Sequence, residues 1–135
     1  MLIRQDKNMK DSKLIVRINK PVHEVFAFTL NPTNTPFWTD SIVKEEVSEK
    51  PTKIGTIYRS QNQYGKWSEY TVTAYEKDKL FILVSDDGNY NVRYTFTPIN
   101  NNATTIEYYE WVSRGDLEEP FSAETLKKLK LILEG

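Results

Sequence analysis

The chain has 135 residues, with 18 basic against 19 acidic side chains for a formal net charge of -1, and it contains no cysteine. That length fits one domain able to bury roughly two-thirds of its unfolded surface, and the balanced charge offers no general field for gathering nucleic acid or an anionic membrane. The missing thiols exclude a disulfide framework, a thiolate zinc site and a cysteine nucleophile.

No run approaches the roughly 20 apolar residues needed to span a bilayer. The opening MLIRQDKNMKDS is too polar for the apolar core of a secretory signal. The expectation is a cytoplasmic, single-domain protein over 1–135 that is not an integral membrane protein, with 1–12 as a loosely ordered lead-in. From Lys13 to Ile18, Leu14, Val16 and Ile18 alternate with Lys13, Ile15 and Arg17, which predicts a strand with one strongly apolar face. Pro21 suits the first turn of a helix, and Val22, Val25, Phe26 and Leu30 recur at helical spacing until Asn31-Pro32 stops it. Asn31 or Thr33 can cap a second short helix through Phe37 and Trp38, whose large side chains need something to cover.

From residue 42 the pattern changes to strands: Ile42 to Glu49, Thr56 to Gln61, Lys66 to Tyr75, Leu80 to Ser85, Tyr90 to Pro98 and Thr104 to Trp111. Turn signals separate them, Asp87-Gly88 being the strongest for a hairpin. Connections this short imply antiparallel neighbours and leave no room for a parallel βαβ sheet. After a polar connection, Pro120 opens a final amphipathic helix with Phe121, Leu126, Leu129, Ile132 and Leu133 on one face and Lys127, Lys128 and Lys130 on another. The predicted class is α+β: a curved, seven-stranded antiparallel sheet wrapped around a C-terminal helix, with two short helices after the first strand closing one end.

The segment Ile18-Asn19-Lys20-Pro21-Val22-His23-Glu24-Val25-Phe26, followed by Asn31-Pro32 and Phe37-Trp38, resembles the opening of the START-related helix-grip superfamily, also called SRPBCC. Gly55-Thr56, Glu69 to Tyr75, Tyr90 to Pro98, Thr104-Thr105-Ile106 and the closing Leu126-Lys127-Lys128-Leu129-Lys130 resemble its polyketide cyclase/dehydrase-like branch. The resemblance covers about residues 13 to 133. It implies a hydrophobic cavity between the sheet and the last helix, used by family members for lipids, sterols, polyketides or plant hormones. Two departures stand out. The Gly-rich loop of plant allergen members is missing, since Glu49 to Thr56 contains only Gly55, and the final helix is shorter than in lipid-transfer members.

Chemistry-bearing residues are few. His23 is the only histidine, which excludes two-histidine metal sites, and its helix position reads as a solvated surface. Gly55, Gly65 and Gly88 are isolated turn glycines that make no phosphate cradle. No metal and no cofactor are expected. On the last strands Val92, Tyr94 and Phe96 share a phase with Ile106, Tyr108 and Glu110, and that phase is read as inward. Glu110, Tyr108 and Tyr94 are therefore the candidate catalytic groups, because a carboxyl beside phenols in an apolar cup can exchange protons or hydrogen bonds with a ligand oxygen. Glu110 at the mouth, or paired with a lysine or arginine, is the plainer reading of the same position.

The expected ligand-binding lining is Phe26, Leu30, Trp38, Tyr58, Tyr70, Val72, Tyr94, Tyr108, Glu110 and Leu129. Three functions fit this sequence. The first is binding of a small hydrophobic molecule, lipid-, polyketide- or aromatic-like. The second is a cofactor-independent enzyme of cyclase, dehydratase or lyase type using Glu110 and a tyrosine. The third is a co-chaperone-like interaction module with a protein partner, motivated by Trp38 and the lysine stripe.

Overall fold

The first strand is set by its alternation: Leu14 and Val16 are half-buried, Ile18 is fully buried, and Lys13, Ile15 and Arg17 face out. The structure, a computed structural model, describes residues 10–118 and 120–135. Residues 1–9 of the expected lead-in lie outside that range, whereas Asp11 and Ser12 already belong to β1 (Asp11–Ile18). Helix α1 (Val22–Leu30) follows Pro21, which stands in extended backbone as its N-cap, and buries Val25, Phe26 and Thr29. His23 is exposed on its outer face.

Helix α2 (Thr35–Trp38) starts later than the sequence suggests. Asn31 ends α1 instead of opening α2, its side chain accepting from the Thr33 N–H at 3.0 Å, and Asn34 takes the N-cap position. Only half of the expected aromatic cover turns inward, because successive residues on a single helical turn diverge by roughly 100°. Trp38 is 2% exposed and Phe37 is 62% exposed.

The remaining strands are β2 (Lys44–Val47), β3 (Ile57–Gln61), β4 (Trp67–Glu76), β5 (Leu80–Ser85), β6 (Tyr90–Asn100) and β7 (Ala103–Val112). They form one seven-stranded sheet in the order β1-β7-β6-β5-β4-β3-β2, antiparallel at every pairing. From β2 to β7 chain-order neighbours thus pair with one another, and only β1 joins from a distance, along β7. The inward phase of the last strands is as read: Val92 faces Glu110, Tyr94 faces Tyr108 and Phe96 faces Ile106, all buried. Trp111, one residue out of phase, stacks on Tyr109 at 5.1 Å.

Helix α3 (Ala123–Glu134) begins three residues after Pro120, with Ser122 at its N-cap. Leu126 and Leu129 are buried against β1 and the short helices, each worth about 1.5–3 kcal/mol relative to exposure. Ile132, expected on the same face, is 38% exposed because it sits roughly 120° around the helix from Leu126. The end of α3 is clamped to the β1–α1 corner: Glu134 accepts from the Asn19 N–H at 2.7 Å, and Lys130 donates to the Arg17 carbonyl at 2.7 Å. Lys128 pairs with Asp40, so two of the three stripe lysines are engaged within the chain. Among the described residues no helix is long and apolar enough to cross a membrane.

Candidate functional site

The concave face of the sheet, the short helices and the β7–α3 connection enclose a cavity of about 670 Å³. Tyr58, Tyr70, Tyr94 and Tyr108 line it from the sheet, and Leu30 and Trp38 line it from α1 and α2. Four other residues expected in the lining lie elsewhere. Phe26 is buried in an aromatic cluster with Tyr75, Phe81 and Phe96, and Val72 and Leu129 are fully buried in the packing behind the wall. Helix α3 contributes no residue to the lining. The expected cavity between sheet and last helix is therefore shifted, because Leu126 and Leu129 fill that space. Leu117 and Phe121 of the connection cover the sheet instead.

Glu110, the fourth, is 1% exposed and stands outside the lining. The Tyr90 and Tyr108 hydroxyls lie 3.0 Å apart and reach its Oε1 at 2.8 and 3.3 Å. Its Oε2 accepts from the Phe121 N–H at 2.7 Å. Neither plainer reading of the sequence describes this arrangement, since the carboxylate is neither at the mouth nor among the ion-paired groups of the described residues. Phe121 in turn stacks on Tyr108 with ring centroids 4.3 Å apart and meets Trp38 edge-on at 6.2 Å.

The tyrosines are held protonated. Burial, followed by neighbouring phenols and the Glu110 charge, pushes Tyr94 and Tyr108 well above the usual phenol range, with Glu45 adding to the rise at Tyr94. Burial pushes Tyr58 up to about 12, and its hydroxyl donates to the Leu30 carbonyl at 2.8 Å, fastening α1 to the sheet. These groups serve as hydrogen-bond donors at neutral pH, and phenolate chemistry is suppressed.

Of the four carboxylates that line the cavity, Asp87, Asp116 and Glu118 are exposed, and only Glu45 is partly buried in the wall. Its Oε1 accepts from Thr35 Oγ1 at 2.6 Å and its Oε2 from Ser60 Oγ at 2.9 Å. Burial raises its pKa, and the two hydroxyl bonds offset part of that rise. Nearby, Thr29 Oγ1, Thr39 Oγ1 and Trp38 Nε1 are buried without a hydrogen-bond partner among the described residues, and all three residues line the same cavity. Glu45 is absent from the lining expected from the sequence, which treats it only as part of the strand Ile42 to Glu49. The available signal was phase: Glu45 shares a side with Val47, which pairs opposite buried Tyr58, while Glu46 turns out to Arg59. Among the described residues no group of three or more metal-ligating side chains converges.

A curved antiparallel sheet gripping a C-terminal helix and enclosing an aromatic-walled cavity defines the helix-grip class of START-like proteins. The family model described as Polyketide cyclase / dehydrase and lipid transport matches residues 10–130, and the chain belongs to that family. No curated protein matches it by sequence. Among solved structures, the protein XoxI from Bacillus cereus is similar with a TM-score of 0.72 at 12% identity, covering 93% of this chain and 96% of that one. A START superfamily protein from Mycobacterium smegmatis has a TM-score of 0.64 at 13% identity, covering 93% and 94%. Norcoclaurine synthase from Thalictrum, a point mutant in complex with a transition-state analogue, has a TM-score of 0.65 at 10% identity, covering 92% and 93%. At such identities these likenesses concern the fold alone.

Proposed function

We propose that the protein binds one small, largely apolar molecule in this cavity. The observation that carries the reading is the cavity itself, whose volume of about 670 Å³ lies within the range of roughly 300–1,000 Å³ usual for small-molecule sites. Its walls combine aromatic bodies with a few polar tips, which desolvate an apolar ligand and orient its oxygen or nitrogen atoms. The family's description, which includes lipid transport, and the analogue held by the Thalictrum enzyme both support occupancy of this fold by a small molecule.

Binding has more support than catalysis through Glu110. Both oxygens of that carboxylate are committed to Tyr90, Tyr108 and Phe121, and its tyrosine partners are poor acids. It serves the wall of the cup.

The test is native mass spectrometry of the purified protein, followed by fluorescence titration with the neutral probe N-phenylnaphthylamine. One saturable site is expected. Leu83 lines the cavity between Val72 and Val92, so Leu83→Trp should fill the space and weaken the probe about tenfold or more while the circular dichroism stays native. A bare mass together with no saturable binding, or an undiminished affinity in a folded Leu83→Trp, would reject the reading.

A further inference from the structure

We infer that the Glu45 corner of the cavity selects ligands that carry a protonated amine on an apolar, preferably aromatic, body. This deepens the binding reading above and rests on it. The corner is assembled from three elements: Glu45 on β2, Ser60 opposite it on β3, and Thr35 on α2. The two hydroxyl donors hold the carboxylate in a fixed orientation at the cavity wall, yet no lysine or arginine among the described residues pairs with it. A partly desolvated carboxylate without a counter-ion is complemented best by a cation that arrives with the ligand.

The surroundings fit a cationic nitrogen in two further ways. Tyr58, Tyr70 and Tyr94 line the same cavity as Glu45, and an aromatic face attracts a cation. A primary ammonium has three donors, and beyond Glu45 the same cavity offers the hydroxyls of Thr29 and Thr39, which have no partner among the described residues and belong to side chains 5% and 3% exposed.

Three probes of one shape separate the possibilities: naphthylethylamine, naphthylethanol and naphthylacetate, titrated by calorimetry against the full chain near neutral pH. Such an amine is protonated there, as lysine is. The amine should bind about tenfold or more tightly than the alcohol, a ratio worth about 1.4 kcal/mol, and the acid should bind most weakly. In Glu45→Gln the ratio of amine to alcohol should fall to about one. Equal binding of amine and alcohol by the native protein overturns the inference and leaves the binding reading standing, a comparison that needs no variant. A tenfold preference that survives in folded Glu45→Gln also overturns it. If none of the three probes binds the native protein, both readings fail together.

Discussion

The backbone N–H of Phe121 donates to Glu110 Oε2 at 2.7 Å, so a carboxylate buried in β7 holds the start of the segment that leads into α3. The same bond sets the Phe121 ring flat on Tyr108 and edge-on to Trp38, closing one side of the cavity.

Replacing Glu110 by alanine removes the acceptor for the Tyr90 and Tyr108 hydroxyls and for Phe121, and leaves a hole among them. A donor left buried without a partner costs about 1–3 kcal/mol, so Glu110→Ala should lose about 3 kcal/mol in urea unfolding. Glu110→Gln keeps the volume and one acceptor oxygen and should lose less. A Glu110→Ala protein within about 0.5 kcal/mol of the native one would show that this network carries no stability.

Thr29 is buried in α1 with its hydroxyl unpartnered among the described residues. Valine has nearly the same shape and the same stiffness at the first side-chain torsion, but no hydroxyl to leave unsatisfied. Thr29→Val should therefore stabilise the protein by about 1 kcal/mol, read as a higher urea midpoint at constant slope. The same substitution should weaken the amine probe, so stability and affinity move in opposite directions. A loss of stability would mean that the hydroxyl has a partner the native fold needs.

Glu45 should titrate in the opposite direction to Asp87 and Glu134. Burial raises the pKa of Glu45 above 4.5, whereas the hydroxyl of Ser85 lowers that of Asp87 below 3.8 and Lys130 lowers that of Glu134 below 4.5. Since the folded state binds the Glu45 proton more tightly than the unfolded chain does, the stability from that group is full below about 4.5 and is lost as the pH rises through its folded value. Asp87 and Glu134 work the other way, their contribution being present at higher pH and lost on acidification. Glu45→Gln should accordingly raise the melting temperature near neutral pH, with the gap closing in acid. Carboxyl titration by nuclear magnetic resonance gives the three midpoints directly, and a Glu45 midpoint at or below 4.5 would contradict the assignment.

Period and punctuation alone carried much of the fold. The alternation in Leu14, Val16 and Ile18, the Pro21 start of α1, the Asp87-Gly88 turn and the inward phase of Val92, Tyr94 and Phe96 are local signals, and the sheet order follows from short connections between them. The errors fell where local preference is weak. Asn31 suits the end of one helix as well as the start of the next, and a lysine-rich helix with five apolar positions does not reveal which side its neighbours will cover.

What the sequence determined by itself, then, is the order of elements, the aromatic face of the sheet and the absence of thiol or two-histidine chemistry, because each depends on residue type and spacing. Only the tertiary structure decided which polar groups share the cavity. Glu45, Ser60 and Thr35 come from two strands and a helix, and Glu110 meets Phe121 across the turn into the last helix. Whether a glutamate in a strand ends in water, in a wall or in a cavity depends on the neighbour that covers it, and for Glu45 that neighbour is α2, a single turn of helix whose placement no local pattern specifies.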